Sequence, residues 1–177
     1  FFFAPLLRGF DKKQFEVYCY SAGRHDRVTQ RLKRSAVIWR EIAGMKAAEA
    51  AKMIYKDQID ILVDLSGHTQ NSCLPVVSYR PAPVQISGIG YTNTTGLLTV
   101  DYFLSDPYCL PPLEAVHGFT EEILRLPHTH LCYAPELIKD YPKSCDEPPC
   151  IKNGYVTFGC FNNFSKVSEE TLTLWRG

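Results

Sequence analysis

Four short polar stretches carry side chains that can do chemistry, and each follows an apolar run. Gly67-His68-Thr69 comes after Ile59–Leu65. An imidazole there could donate to a bound anion or move a proton near neutral pH. A loop histidine that bonds only backbone is the plain alternative. The stretch from Gly88 to Gly96 reads GIGYTNTTG. Backbone N–H groups in such a turn can cradle phosphate or sugar oxygens. It is neither a dinucleotide-binding GxGxxG nor a P-loop, because no Lys-Ser/Thr pair follows; a simple tight turn would read the same way. Ser105 and Asp106 close a third run. Asn162-Asn163-Phe164-Ser165-Lys166 offers two amides and a lysine. The ammonium could neutralise a diphosphate through charge-assisted hydrogen bonds, helped by the dipole of the helix that follows. A capped turn with a solvated lysine is the alternative.

Other constellations are weaker. His128, His130 and Cys132 lie close together, and a zinc-binding module on them is one rival reading. On a strand, however, His-x-His sends its two side chains to opposite faces, and no second ligand pair sits at a standard spacing. No metal site is therefore expected. Asp60, Asp64, Asp101 and Asp106 are candidate general bases, but nothing in the sequence pairs two of them. There is no GxSxG and no Cys/His arrangement of a nucleophilic enzyme.

The apolar runs are the elements that must position these groups. Ile59–Leu65, Pro83–Gly90 and Val100–Asp106 are continuous and partly β-branched, the pattern of strands buried on both faces of a parallel sheet. In such sheets ligands sit outside the carboxyl ends of the strands, so His68, Thr69 and the residues from Tyr91 to Thr95 lie at the expected edge. Earlier in the chain, Phe1–Phe10 reads as the end of an amphipathic helix. Phe15–Ser21 and Ala36–Ile42 read as strands, with Asp26 as N-cap of a helix running to Lys33. Ala47–Asp57 has helix formers at helical spacing. A short helix is expected over Asn71–Tyr79 and a short strand over Glu122–His128. The stretch Cys132–Asn153 is rich in Pro, Lys, Asp and Glu without a period and reads as a linker. Tyr155–Phe161 reads as a new strand, and a helix follows from Ser168. The domain reading is thus residues 1–131, a first Rossmann-like α/β domain; 132–153, a linker; and 154–177, the start of a second.

Composition sets the bounds. The chain has 177 residues, 45% of them apolar, enough for one sizeable core. Nineteen basic and nineteen acidic residues give a formal net charge of +0, which argues against a broad nucleic-acid surface. No run approaches the ~20 apolar residues of a membrane helix. Seven scattered cysteines, none in a CxxC pair, read as reduced thiols in a cytoplasmic protein. Cys19 and Cys160 fall in expected strands, as small apolar residues. The chain starts with Phe1 and stops within a helical pattern, so it reads as an internal piece of a longer protein.

In their order and spacing, DILVDLSGHT, YRPAPVQISGIGYTNTTG, VDYFLSD, LRLPHTHLCY and YVTFGCFNNFSKV resemble the catalytic region of the O-linked N-acetylglucosamine transferases, glycosyltransferase family 41, including bacterial and SPINDLY-like members. The resemblance runs over most of the chain and is most specific in the RPAPVQ-to-TTG block and the FNNFSK turn. It implies a GT-B enzyme: two Rossmann-like domains facing a cleft, often preceded by tetratricopeptide repeats. Such enzymes move a sugar, usually from UDP-N-acetylglucosamine, to Ser or Thr of a protein acceptor, with inversion and with neither metal nor cofactor. The resemblance places Lys166 on the donor diphosphate as the catalytic residue and Asn163 on the nucleotide. Gly90, Tyr91 and Thr92 match the turn lining the sugar pocket, where many relatives have proline in place of Thr92. His68, beside Thr69, matches a position that is Tyr in animal members and His in many bacterial ones. This chain would supply most of the first domain and the opening of the second, and would be inactive alone. Two rivals remain at this level: the same fold with another donor such as GDP-fucose, and a non-catalytic peptide-binding relative.

Overall fold

Helix α1, Phe3–Gly9, buries Leu7, whereas Phe2 and Phe10, which the spacing puts on the same apolar face, are exposed. Strand β1 (Tyr18–Ser21) then pairs in parallel with β2 (Ile38–Glu41), Cys19 opposite Trp39. Between them runs α2, Arg27–Lys33, whose N-cap Asp26 accepts from Thr29 N at 2.7 Å while its own N–H donates to Thr29 Oγ1. This computed structural model describes residues 2–34, 38–112, 116–134 and 147–176.

Helix α3, Ala47–Lys56, turns Ala50, Ala51 and Ile54 inward against Ile42 and Val76. Small residues on that face let the helix approach closely, and Ile54 fills the remaining space. At its C-terminus Asp57 accepts from Arg40 (3.1 and 3.2 Å) and from the Tyr20 hydroxyl (2.8 Å). One carboxylate thus ties the helix to both strands that precede it.

Strand β3, Ile61–Asp64, opens a second, four-stranded parallel sheet. A one-turn helix α4, Leu74–Val77, leads to β4 (Val84–Gly88), followed by β5 (Tyr102–Ser105) and β6 (Glu122–Arg125). The strands lie in chain order, with Asp64 beside Ser87, Ser87 beside Phe103, and Phe103 beside Ile123. Because all four run the same way, all four carboxyl ends share one edge.

The two faces of this sheet differ. Asp64, Gln85, Ser87, Phe103 and Ser105 point to the buried face. Gln85 there donates to Val77 O and Thr99 O. On the other face Ile61 is 53% and Val63 43% exposed, and Leu124 is exposed as well. The expectation of strands buried on both faces therefore fails at the outer strands β3 and β6, while Ile86 and Leu104 of the middle strands are half-buried on that second face. The strands are also shorter than the apolar runs. Pairing sets their ends, and residues such as Leu65 and Ile89 leave the ladder to build loops.

The chain forms two units, Phe1–Pro135 and Glu136–Gly177. In the second, α5 (Pro149–Asn153) occupies the end of the expected linker, started by Pro149 and closed by Gly154 at φ 76. The expectation of a strand over Tyr155–Phe161 is not met: these residues join no described strand pair and are exposed. Their β propensity is real, but a strand needs a neighbour to take its N–H and C=O groups, and no described segment provides one. Cys160 is accordingly exposed, whereas Cys19 is buried as expected, and burial pushes its thiol up to about 11. A 3-10 turn, Phe164–Lys166, and helix α6, Glu169–Arg176, complete the unit.

Candidate functional site

The loops at the carboxyl edge of the four-stranded sheet are built on buried carboxylates. Asp64, the last residue of β3, accepts through Oδ1 from Ser66 N (3.2 Å) and Ser66 Oγ (2.6 Å). Its Oδ2 accepts from Gly67 N (2.8 Å) and Ser87 Oγ (3.0 Å). One side chain therefore folds the turn after β3 and fastens it to β4. Ser72 Oγ adds a bond to Gly67 O, and Thr69 Oγ1 one to Ser66 O.

The next loop interlocks with this one. Gly90 N donates to Gly88 O at 2.9 Å around Ile89, whose φ is 71. That is the rare, strained form of γ-turn, and a β-branched residue holds it. A Cβ on Gly90 would lie 1.9 Å from Leu65 O, and one on Gly67 (φ +49) would lie 2.4 Å from Tyr91 Cβ. Glycine at both positions is what lets the backbones pass. Tyr91 consequently rests beside His68, ring centroids 5.5 Å apart and edge-on.

His68 Nε2 lies 2.8 Å from Thr95 O. Thr95 N donates to Glu121 Oε1 at 2.7 Å, its hydroxyl donates to the same oxygen, and Thr94 Oγ1 donates to Oε2 at 2.7 Å. Glu121 is 4% exposed. Burial pushes against its charge, but the Thr95 and Thr94 donors outweigh this and hold its carboxyl below the ordinary range. Thr92 and Asn93 form the exposed tip of the loop, where Asn93 Oδ1 accepts from Thr94 N.

At the end of β5, Asp106 is fully buried. It accepts from the backbone N–H groups of Tyr108, Cys109 and His130, and from His130 Nδ1. The His130 N–H, then that of Cys109, hold its carboxyl far below the ordinary range. Asp106, Cys109 and His130 bring their donor atoms within 4.8 Å of one another, yet four N–H groups already occupy the carboxylate. The arrangement fits an anchor for the segment after β6. His128 and Cys132 are exposed, while His130 turns inward, so the three do not form the cluster their spacing brought to mind. Asp101 is engaged as well: burial opposes its charge, but Arg80 at 2.8 Å and the Gln85 N–H hold it ionised. Of the four aspartates named as candidate bases, three are thus structural anchors in this structure.

In the second unit, Asn163 Oδ1 accepts from Ser165 N at 3.1 Å and caps the turn that carries Lys166. Lys166 is exposed, and its ammonium has no hydrogen-bond or ion-pair partner among the described residues. The structure therefore brings His68, Tyr91 and Thr95 together, with Thr69 and Gly90 beside them. Asn163 and Lys166 meet separately, on their own turn. Glu121 was missed by the sequence reading: it lies 26 and 27 residues from the two threonines it holds, and no local pattern marks it. A separate open cavity of about 340 Å³, between Ile42–Met45 and Asn71–Cys73, contains none of these residues.

Comparison with known proteins bears on the family and the fold. The profile of glycosyl transferase family 41 matches residues 5–136. SPINDLY of Arabidopsis thaliana, described as a probable UDP-N-acetylglucosamine–peptide N-acetylglucosaminyltransferase, is 40% identical over 97% of this chain and 19% of its own length. Its counterpart in Eustoma exaltatum subsp. russellianum is 39% identical over the same shares. A solved structure of a lysine-to-methionine mutant of the Thermobaculum terrenum O-GlcNAc transferase is 36% identical and superposes with a TM-score of 0.86, over 98% of this chain and 32% of that one. The chain spans about a fifth of the length of the curated relatives it matches. Its parallel α/β architecture is that of a GT-B transferase. With three quarters of its length inside the profile and relatives at this identity across nearly all of it, the chain belongs to glycosyltransferase family 41.

Proposed function

We propose that this chain is part of a protein glycosyltransferase that moves N-acetylglucosamine from UDP-N-acetylglucosamine to Ser or Thr of a protein acceptor, with inversion and without a metal ion. The observation that carries the reading is the set of loops, glycine-locked and fastened by carboxylates, at the carboxyl edge of a parallel sheet whose relatives bear this activity in their names. Edges of this kind bind ligands in open α/β sheets. On this reading Gly90, Tyr91 and Thr92 line the sugar pocket, with His68 and Thr69 beside them. Asn163 contacts the nucleotide. Lys166, exposed and with no ion-pair partner among the described residues, meets the diphosphate. As the acceptor hydroxyl attacks the anomeric carbon, the bond to the nucleotide breaks and negative charge grows on the departing phosphate. A fixed ammonium there stabilises that charge more in the transition state than in the ground state. The remainder of the protein, with a complete second domain and tetratricopeptide repeats, would work in the cytoplasm.

The test is Lys166→Met in the full-length protein, assayed by intact mass of a peptide acceptor. We expect kcat to fall by about 10²–10³-fold, the cost of losing one oxyanion-stabilising group, with the circular dichroism spectrum unchanged. Unaltered turnover would remove Lys166 from the mechanism. A wild-type protein that transfers from GDP-fucose and not from UDP-N-acetylglucosamine would overturn the donor assignment.

A further inference from the structure

The ring of His68 has one nitrogen engaged and one open. Nε2 sits 2.8 Å from the carbonyl oxygen of Thr95. A carbonyl oxygen only accepts, so Nε2 carries the hydrogen. Nδ1 has no hydrogen-bond partner among the described residues. In the neutral ring it is therefore a lone-pair acceptor, and its side chain is exposed at the sheet edge. That polarity matters for what can bind. An anion such as phosphate needs donors, and this imidazole has already used its donor on the protein. A hydroxyl group, which can donate, matches the open nitrogen.

The carbonyl that sets the tautomer is itself fixed from behind. Thr95 is buried, and both its N–H and its hydroxyl end on Glu121 Oε1, while Thr94 takes Oε2. Glu121 stands immediately before β6, so the chain of contacts runs from the sheet framework through Thr95 to the imidazole. Tyr91 packs edge-on beside the ring.

We propose that Glu121 is a positioning residue. Through Thr95 it holds His68 as the Nε2–H tautomer, so that Nδ1 accepts a hydrogen bond from a hydroxyl of the bound substrate. This rests on the transferase reading above, which supplies two hydroxyl-bearing partners, the donor sugar and the Ser or Thr of the acceptor.

The two halves are tested separately. In the ¹⁵N-histidine-labelled chain, long-range ¹H–¹⁵N correlation reports which ring nitrogen of His68 is protonated. The wild type should show Nε2–H alone. Glu121→Ala should give averaged shifts of a tautomer mixture with the far-UV spectrum retained, and Glu121→Gln, which keeps an acceptor for Thr95, should restore the wild-type pattern. A protonated Nδ1 in the wild type, or an undisturbed tautomer in Glu121→Ala, overturns the positioning role. If Glu121→Ala does not fold, Thr95→Pro, which removes the N–H, serves in its place under the same criteria. For the substrate half, UDP-N-acetylglucosamine alone and a Ser/Thr peptide alone are added to the labelled full-length protein. A shift of Nδ1 with the first assigns the hydroxyl to the sugar, and with the second to the acceptor; no shift with either, or with both together, overturns it. In kinetics, His68→Ala should raise KM for that same partner about tenfold, the worth of one hydrogen bond at about 1.4 kcal/mol, with partial rescue in His68→Asn. Absence of any sugar transfer by the wild type would defeat the transferase reading, while the tautomer measurement would still decide the role of Glu121.

Discussion

Gly90 and Gly96 stand six residues apart in one loop, and they answer to different physics. A Cβ on Gly90 would fall 1.9 Å from the Leu65 carbonyl oxygen, a backbone atom that cannot step aside. Gly96, at φ +71, faces open space. Gly90→Ala should therefore cost about 3 kcal/mol or more through overpacking, and Gly96→Ala about 1–2 kcal/mol through its left-handed backbone alone; urea midpoints at constant m distinguish the two. Glu121 makes a pH prediction. Its carboxyl is depressed in the fold, so the stability it contributes is complete above its unfolded value, near 4.3, and is lost as pH falls from there through the depressed folded value. Glu121→Gln should flatten the acid limb of the stability curve in that window and leave its slope near neutrality unchanged. At this scale the sequence pointed to His68 and the Gly/Thr turn because residue type and the preceding apolar run are local signals. It could not point to Glu121, or to the inward turn of His130, because both depend on partners more than twenty residues away.

Among the elements, α3 shows what a periodic pattern conveys well. Of the apolar residues at helical spacing in Ala47–Asp57, Ala50, Ala51 and Ile54 are buried, while Tyr55 is exposed. Ile54→Ala should cost about 2–5 kcal/mol, as deletion of a buried aliphatic side chain does. Tyr55→Ala, at the exposed next position, should stay within about 0.5 kcal/mol. Thermal or urea unfolding monitored at 222 nm checks both. The cap at Asp26 was equally readable, since an N-cap is decided within four residues. Tyr155–Phe161 shows the opposite case. Its composition favours a strand, but strand formation is settled by a neighbour, and composition cannot say whether one is present. The length of β3 makes the same point: seven apolar-patterned residues in sequence, four in the ladder.

For the molecule as a whole, the residues singled out above fall in two units, one carrying His68 and Tyr91 and the other Lys166. Among its described residues the second unit has two short helices and a turn, with Phe158 and Phe161 almost fully exposed. That is too little buried surface to form a nucleotide-binding domain by itself. We accordingly expect no sugar transfer from UDP-N-acetylglucosamine to a peptide by the 177-residue chain alone, read by intact mass, while the full-length protein transfers. No described helix is long and apolar enough to cross a membrane.

The glycine-locked crossing of the two edge loops also governs how this edge can move. Leu65 O occupies the space above Gly90, and Tyr91 occupies the space above Gly67, so neither loop can slide without carrying the other. His68 and Tyr91 are in effect one mechanical part. Any adjustment of this wall to an incoming ligand must displace them together, as a single jaw and not as two independent fingers.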